Sequence, residues 1–386
     1  MAEADGLFER APPMALQERI GLVTPHNLNI ERRALLVALI GWLPLVVLAI
    51  LQSIWIGSDE YTSLLWEVGV HARYLVAAPL LIVAESLCAP QLNFIAKHLA
   101  GRRIVDELAK PRLQASVALV RKMLGSAAIE ALVLILAYLV AIAAALSHSP
   151  DQLPVWARPA GGMPRFSLAG WWHTLVSVPL LLMLILGWVW RLFAWTWLLW
   201  RVSRLKLHLI ASHPDHCAGL AFLGESVRAF TVVAMAFAII VAGRSANIVL
   251  QGGGLPTQHL VFNVGLLISI AVLFVGPLLV FVPALLETWR RGALEYGRLA
   301  GEIGGIFERK WLNTEKSGSE VLEKPDFSAV ADLYSVAANV HAMRFIPVDI
   351  KDLIALACAM LLPFVPVVLL TFPMDVIWDH IKSLLL

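Results

Sequence analysis

The chain has 386 residues, of which 59% are hydrophobic and only 15% charged, and its formal net charge is +2. An ordinary water-soluble globular protein has about 25% charged residues, so this composition excludes that class. The small net charge conceals a strongly uneven distribution of the basic residues along the sequence.

Seven apolar stretches of about 20 residues or more are long enough, as helices, to cross the roughly 30 Å hydrocarbon layer of a bilayer. Strands of a membrane β-barrel alternate apolar and polar residues, whereas residues 132–140 are apolar throughout. The sequence therefore predicts an all-α, polytopic transmembrane helical bundle of about seven spans with a helical cytoplasmic layer. The stretches run from Ala34 to Trp55, Tyr74 to Ile95, Ser126 to Leu146, Trp171 to Trp197, Ala229 to Leu250, Leu260 to Leu286 and Leu353 to Met374.

The basic residues predict the orientation of these spans. With the N-terminus placed in the cytoplasm, 25 of the 30 Lys and Arg residues fall on the inner side. Because short cytoplasmic loops are enriched in Lys and Arg, we predict that the N-terminus is inside and the C-terminus outside. The first apolar run begins only at Ala34, so no cleavable signal peptide is expected.

The chain divides into five predicted parts. Outside the spans we expect an inner helix that begins at Pro111 and a second one that begins at Asp326. The basic inner face is expected to contact anionic lipid headgroups, whereas nucleic acid is not an expected partner because acidic residues are interleaved with the basic ones. The parts are a cytoplasmic N-terminal segment (1–33), a six-span bundle (34–286) with inner loops 97–122 and 201–228, a cytoplasmic helical segment (287–352), the seventh span (353–374) and an outer amphipathic tail (375–386).

Ionisable residues within the spans are the strongest functional indicators, since each costs several kcal/mol unless it meets a partner or water. Glu85 lies near the middle of the second span, between Pro79 and Pro90, where loosened backbone is able to line a cavity. One interpretation makes Glu85 a proton or cation site. The alternative is that its carboxylate is a polar link between helices.

Three further ionisable residues lie nearer the ends of the spans. Glu130 and Arg191 have comparable depths near the inner ends of the third and fourth spans, which suggests an ion pair and an inner gate. Arg244, followed one turn later by Asn247, lies toward the outer end of the fifth span. Snorkelling of the two arginines to the interface is the alternative explanation. Trp188 is placed to stack on the Arg191 guanidinium.

An inner loop from Leu207 to Glu225, the HPD loop, collects residue types that bind metals. His213, Asp215 and His216 are its candidates for contact with an ion or ligand at the inner mouth. The spacing does not match a metal motif, so no metal and no cofactor are expected. A structural turn at Pro214, with Asp215 favouring a following helix N-terminus, explains the same residues.

The HPD loop resembles a segment with the pattern HPD-x3-GL-x-FLG in a group of bacterial polytopic membrane proteins whose activity is uncharacterised. The matching residues run from His213 to Asp215 and from Gly219 to Gly224. The resemblance implies a bacterial inner (plasma) membrane and supplies no mechanism.

The sequence leaves two functions open. The first is an ion or small-solute channel or transport pathway, in which Glu85 is the intramembrane site and the chain forms a homo-oligomer. The second is a membrane-embedded sensor or scaffold whose cytoplasmic helices bind a partner protein. An enzyme is not expected, because no set of nucleophile, base and orienting residue is recognisable.

Overall fold

The structure, a computed structural model, describes residues 12, 17, 29–101, 104–147, 149, 152–159, 165–251, 260–312 and 326–371. In these ranges the chain is helical, and the β-structure there is limited to one isolated bridge between Val105 and Leu207. The predicted tail at 375–386 and most of the N-terminal segment lie outside the described residues.

Eleven helices are labelled in chain order within the described ranges. Seven segments are long and apolar enough to cross a membrane, which confirms the predicted helical class and span count. The helices are α1 (Ile30–Ile56), α2 (Val68–Gly101), α3 (Lys110–Leu124), α4 (Ala127–Ser147), α5 (Leu168–Ser203), α6 (Glu225–Leu250), α7 (Leu260–Val275), α8 (Val282–Trp311), α9 (Asp326–His341), α10 (Ile350–Leu361) and α11 (Val365–Thr371).

Two of the spanning helices contain a π-helical segment near their first turns. In α2 it covers Ala72–Ala77, and in α5 it covers His173–Ser177. Such segments insert an extra residue into the helix and are often found at functional sites. 3-10 segments around Pro277 and Pro363 join α7 to α8 and α10 to α11, since proline removes a helical hydrogen bond.

Helix α6 lies at the centre of the bundle and presents small residues to its neighbours. A Cβ built at Gly243 would lie 2.7 Å from the Cβ of Ala72, so α2 and α6 are in backbone contact there. Small residues permit this close approach, which is how helices commonly associate in membranes. Side chains also donate across helices to backbone oxygens, as Trp188 Nε1 does to Leu81 at 2.9 Å.

Two helical elements lie beyond the spans. Helix α3, the expected inner helix, buries Leu113, Val120 and Leu124 along one face. Helix α9 begins at Asp326, as expected, and packs against the far half of α8, where the Phe307 and Phe327 rings meet edge to face at 4.7 Å.

Candidate functional site

Glu85 joins three spanning helices through a buried ion triad, which we call the Glu85 triad. Its Oε2 accepts a hydrogen bond from Arg33 Nη2 of α1 at 2.5 Å, and its Oε1 accepts one from Arg191 Nη2 of α5 at 2.7 Å. The side chains of Arg33 and Arg191 are 1% and 4% exposed. Each carboxylate oxygen therefore already has a guanidinium partner in an environment with little water.

The depth of the triad follows from its partner on α1. Arg33 is the fourth residue of that helix, so Glu85 lies level with the beginning of the first span. The sequence placed Glu85 near the middle of the second span with loosened backbone around it. The backbone at Glu85 is instead part of a regular α-helix that runs from Ala78 to Gly101. The irregular π segment ends at Ala77, before this regular helix begins.

The partner of Arg191 differs from the expected one. The sequence suggested an ion pair with Glu130, because the two residues have similar depths along their spans. In the structure Arg191 forms its ion pair with Glu85. The Arg191 guanidinium also lies 4.8 Å from the ring centre of Trp188, in the expected stacking position. Glu130 is half-buried at the beginning of α4. Helix depth alone did not reveal which faces of the helices meet.

Among the described side chains, the triad consists of two guanidinium groups and one carboxylate. Nε and Nη1 of Arg33 are buried and have no hydrogen-bond partner. Unpaired buried donors on a charged group are costly. A proton or cation site at Glu85, which the sequence suggested, is disfavoured by this arrangement, because a cation entering it would face two arginines.

A described part of the N-terminal segment lies one turn from the triad on α5. The Pro12 carbonyl oxygen would be only 2.5 Å from a Cβ at Gly187, four residues before Arg191. This close contact is possible because glycine has no Cβ atom. Pro12 therefore contacts the same helix that supplies Arg191.

At the opposite end of the bundle the chain forms a cavity of about 250 Å³, which we call the Glu67 cavity. Its polar lining includes Glu67 and Arg73 at the beginning of α2 and His173 and Thr174 in the π segment of α5. Apolar lining comes from the last turns of α4 and from the connection between α4 and α5. Sequence analysis did not find this cavity, because its residues are far apart in the chain and π segments have no clear sequence signature.

Asn247, one of the polar residues singled out in the sequence, fixes the position of the Glu67 side chain in this cavity. Its Nδ2 donates to Glu67 Oε1 at 2.7 Å, and its Oδ1 accepts from the Gly69 N–H at 2.9 Å. Burial raises the pKa of the Glu67 carboxyl, against the opposing effect of the Arg73 charge. Arg244 lies elsewhere: it is exposed, with its guanidinium 5.5 Å from the centre of the Phe262 ring.

An apolar layer separates the cavity from the triad. Along α2, Arg73 and Glu85 are 12 residues apart, or about 18 Å at 1.5 Å per residue. Leu81 and Ile82 between them are fully buried, and Leu184 and Trp188 of α5 are at most 3% exposed. The two polar clusters are therefore joined by the same two helices but not by a polar path along these faces.

The HPD loop folds around Asp215. The Asp215 carboxylate accepts backbone N–H groups from Cys217, Gly219 and Ala221 at 2.8–3.1 Å, and His213 Nδ1 lies 2.8 Å from it. Burial acts to raise the pKa of Asp215, but these donors outweigh it and hold the pKa below its ordinary value. The carboxylate thus fixes the turn that leads into α6.

The rest of the HPD loop has an unusual backbone. His216, Ala218 and Gly219 have φ values of 54°, 55° and 95°, and the Arg344 N–H donates to the His216 carbonyl oxygen at 2.6 Å. His213 lines an open cavity of about 650 Å³ together with Asp106 and His208. Within the described residues, no group of three or more His, Cys, Asp or Glu side chains is arranged to hold a metal ion.

Comparison with known proteins gives no relative from which a role for these sites could be transferred. No protein-family model, no curated protein and no solved structure matches the chain. What the chain shows directly is a multi-pass helical membrane protein with seven membrane-capable segments.

Proposed function

We propose that the protein is a transport pathway for small anions or acidic solutes, with the Glu85 triad as its intramembrane site. The observation that carries this proposal is Arg33, which is 1% exposed and has two N–H-bearing nitrogens without an acceptor. Keeping a charged group with unused donors inside a bundle is expensive, and binding of an anion would offset that cost.

Glu85 has a defined part in this proposal. Its carboxylate neutralises one of the two guanidinium charges while the site holds no solute. An arriving anion competes with Glu85 for Arg33 and Arg191, which are 2.5 and 2.7 Å from the carboxylate oxygens. Charge-assisted hydrogen bonds between guanidinium and an acidic group are strong and directional. In the exchange, bonds from the arginines to Glu85 are replaced by bonds of the same kind to the anion.

The apolar layer favours a carrier with alternating access over a permanently open channel. Leu81, Ile82 and Trp188 are buried in a continuous core beyond the triad. A hydrated anion has no passage along these faces in this conformation. Transport therefore requires a second arrangement of the helices, and the π segments of α2 and α5 are the irregular points at which those helices are best able to bend.

The test is flux of small anions into proteoliposomes that contain the purified full chain. We expect chloride or acetate uptake by the unmodified protein, and at least a tenfold loss in Arg33→Gln. Glu85→Gln should lower the anion concentration needed for half-maximal flux, since the internal competitor is gone. Ser86→Ala is the matched control, because the Ser86 hydroxyl bonds only to its own helix at Val83. Folding is checked by gel filtration and circular dichroism.

Equal flux in Arg33→Gln and in the unmodified protein would contradict the proposal. A flux of cations that is lost in Glu85→Gln would contradict it as well, because the carboxylate would then be the binding group rather than a competitor.

A second candidate function is a scaffold that binds a partner protein through the helices beyond the sixth span. Leu294 and Ile306 on α8 are 76% and 56% exposed in a part of the helix rich in charged residues, which leaves apolar side chains available to a partner. Capture of a specific partner that is lost in Leu294→Glu, with anion flux absent from every preparation, would favour this candidate.

The location and assembly of the protein are part of the same proposal. The resemblance of the HPD loop supports a bacterial plasma membrane, and the segregation of basic residues supports contact of the inner face with anionic lipids. A homo-oligomer is compatible with either function, and native mass spectrometry in nanodiscs measures it directly.

A further inference from the structure

The Glu67 cavity brings two opposite charges to one small space without joining them. Glu67 and Arg73 both line it, and among the described residues they do not form an ion pair within 4.0 Å. Glu67 is half-buried, and its pKa is raised mainly by that burial. The Arg73 charge thus acts on Glu67 from a distance, and the two side chains face a common space of about 250 Å³ without direct contact.

Both charges are held in place by one backbone position. The Gly69 N–H bonds to Asn247, which in turn holds Glu67, while the Gly69 carbonyl oxygen accepts from Arg73 Nε at 2.8 Å. A Cβ at Gly69 would lie 2.7 Å from Asn247 Nδ2 and 3.1 Å from the Gly243 carbonyl oxygen. This glycine thus permits the close contact of α2 and α6 that fixes the carboxylate and the guanidinium relative to each other.

The walls of the cavity add shape. The His173 Nδ1 is 3.3 Å from the hydroxyl of Tyr74, and the His173 and Trp156 rings meet edge to face at 5.3 Å. Ala141 and its neighbours on α4 leave room opposite these rings. The space is below the 300–1,000 Å³ typical of sites for drug-sized ligands, so it suits a molecule of only a few heavy atoms.

We propose that the Glu67 cavity binds a small zwitterion, with its ammonium group beside Glu67 and its acid group beside Arg73. One molecule with both charges satisfies both side chains, whereas a simple ion would satisfy one and leave the other uncompensated. Two sources carry this chemistry: a free amino acid, and the ethanolamine phosphate headgroup of a lipid. The cavity lies at the ends of the spans, where both are accessible.

The test uses the purified full chain in nanodiscs of phosphatidylglycerol alone, because the phosphatidylcholine headgroup is itself a zwitterion. Binding of glycine, phosphoethanolamine, acetate and ethylamine is measured by calorimetry and by the fluorescence of Trp156, with Trp156→Phe identifying its signal. We expect binding of at least one zwitterion, and at least tenfold weaker binding of acetate and ethylamine. Nanodiscs that contain phosphatidylethanolamine distinguish the two sources. If the ligand is the lipid headgroup, native mass spectrometry finds bound phosphatidylethanolamine, and this lipid blocks binding of added phosphoethanolamine. If the ligand is a free amino acid, the lipid does not block binding of added glycine.

The variants assign the charges. Glu67→Gln and Arg73→Gln should each weaken zwitterion binding at least tenfold, while Glu60→Gln, on the exposed surface of the preceding 3-10 helix, should leave it unchanged. Ala145→Leu fills the cavity without altering a charge and should also abolish binding. The proposal is overturned if acetate or ethylamine binds as tightly as the zwitterions, if folded protein binds none of the four probes, or if both charge variants bind normally.

This site is independent of the proposed anion pathway. Binding at the Glu67 cavity requires no flux, and the Arg33 variant changes no residue that lines the cavity. A negative result for anion flux therefore leaves the zwitterion proposal standing, and a negative result for zwitterion binding leaves the anion pathway standing.

Discussion

Arg33 and Glu85 are 52 positions apart in the chain, yet their side chains form a 2.5 Å ion pair that joins the beginning of the first span to the second. Arg191 completes the arrangement from the fourth span. Three helices are thereby fixed in register at one level of the bundle, and this arrangement determines what substitution at each position should do.

Removing only Glu85 should destabilise the protein strongly. Glu85→Gln removes the carboxylate that two buried guanidinium groups contact, and breaking a buried ion pair from one side typically costs about 3–5 kcal/mol. The double variant Glu85→Gln, Arg191→Gln should recover part of that loss, because one uncompensated charge is gone. Reversible unfolding in mild detergent measures both. Additive effects of the two single substitutions would contradict the coupling.

Asp215→Asn should loosen the HPD loop. The carboxylate accepts three backbone N–H groups, and hydrogen bonds to charged groups contribute about 1.5–3 kcal/mol, so we expect a loss of about 2 kcal/mol. Hydrogen exchange at residues 215–224 reports it locally. Asp332→Asn, on the exposed side of α9, is the control and should show no change.

The same carboxyl predicts a pH dependence. Because the folded pKa of Asp215 is below its ordinary value, the stabilisation is complete above the unfolded pKa of about 3.9 and is lost as the pH falls through the folded pKa. The difference in unfolding temperature between the unmodified protein and Asp215→Asn should be constant from pH 5 to 8 and shrink below about pH 4. A difference that instead grows with acidification would contradict this assignment.

Gly69→Ala should force α2 and α6 apart. The new methyl group would lie 2.7 Å from the Asn247 amide, and overpacking of this kind costs about 1–3 kcal/mol. Gly265→Ala on α7 is the matched control, since open space surrounds that position and alanine favours a helix. Thermal unfolding of the two variants should therefore shift in opposite directions.

The predicted orientation is testable with two engineered cysteines in a Cys358→Ser background, since Cys88 and Cys217 are buried. Glu60→Cys lies at the end of the bundle that holds the Glu67 cavity, and Glu308→Cys lies on α8 beyond the sixth span. A membrane-impermeant maleimide added to intact cells should label the first variant and not the second. The reverse pattern would show that the basic residues face outward.

The helical class and the seven spans were predictable because length and apolarity are properties of a continuous segment. The inner helix after Pro111 and the helix that begins at Asp326 were predictable for a related reason, since periodicity and capping act within a few residues. These features require no knowledge of which helix packs against which.

The partners of the polar residues were not predictable in the same way. The comparable depths of Glu130 and Arg191 suggested a pair, but a pair also requires that two helix faces meet, and the structure brings Arg191 to Glu85. Arg33 was counted among the flanking basic residues because it precedes the apolar run by one position. The Glu67 cavity depends on Asn247, 180 residues further along the chain. Rotation and register of helices are set by the whole core and not by any one segment.

The apolar layer between Arg73 and Glu85 has an electrical consequence. If the electrolyte reaches the polar cluster at each end, the membrane voltage falls mainly across about 18 Å of protein rather than across the roughly 30 Å of lipid. The field within that layer is then about 1.7 times stronger. A helix movement that carries one elementary charge across the layer would change in free energy by about 2.3 kcal/mol for each 100 mV. Under that condition the resting potential acts on any rearrangement that carries one of the three charged side chains into this layer.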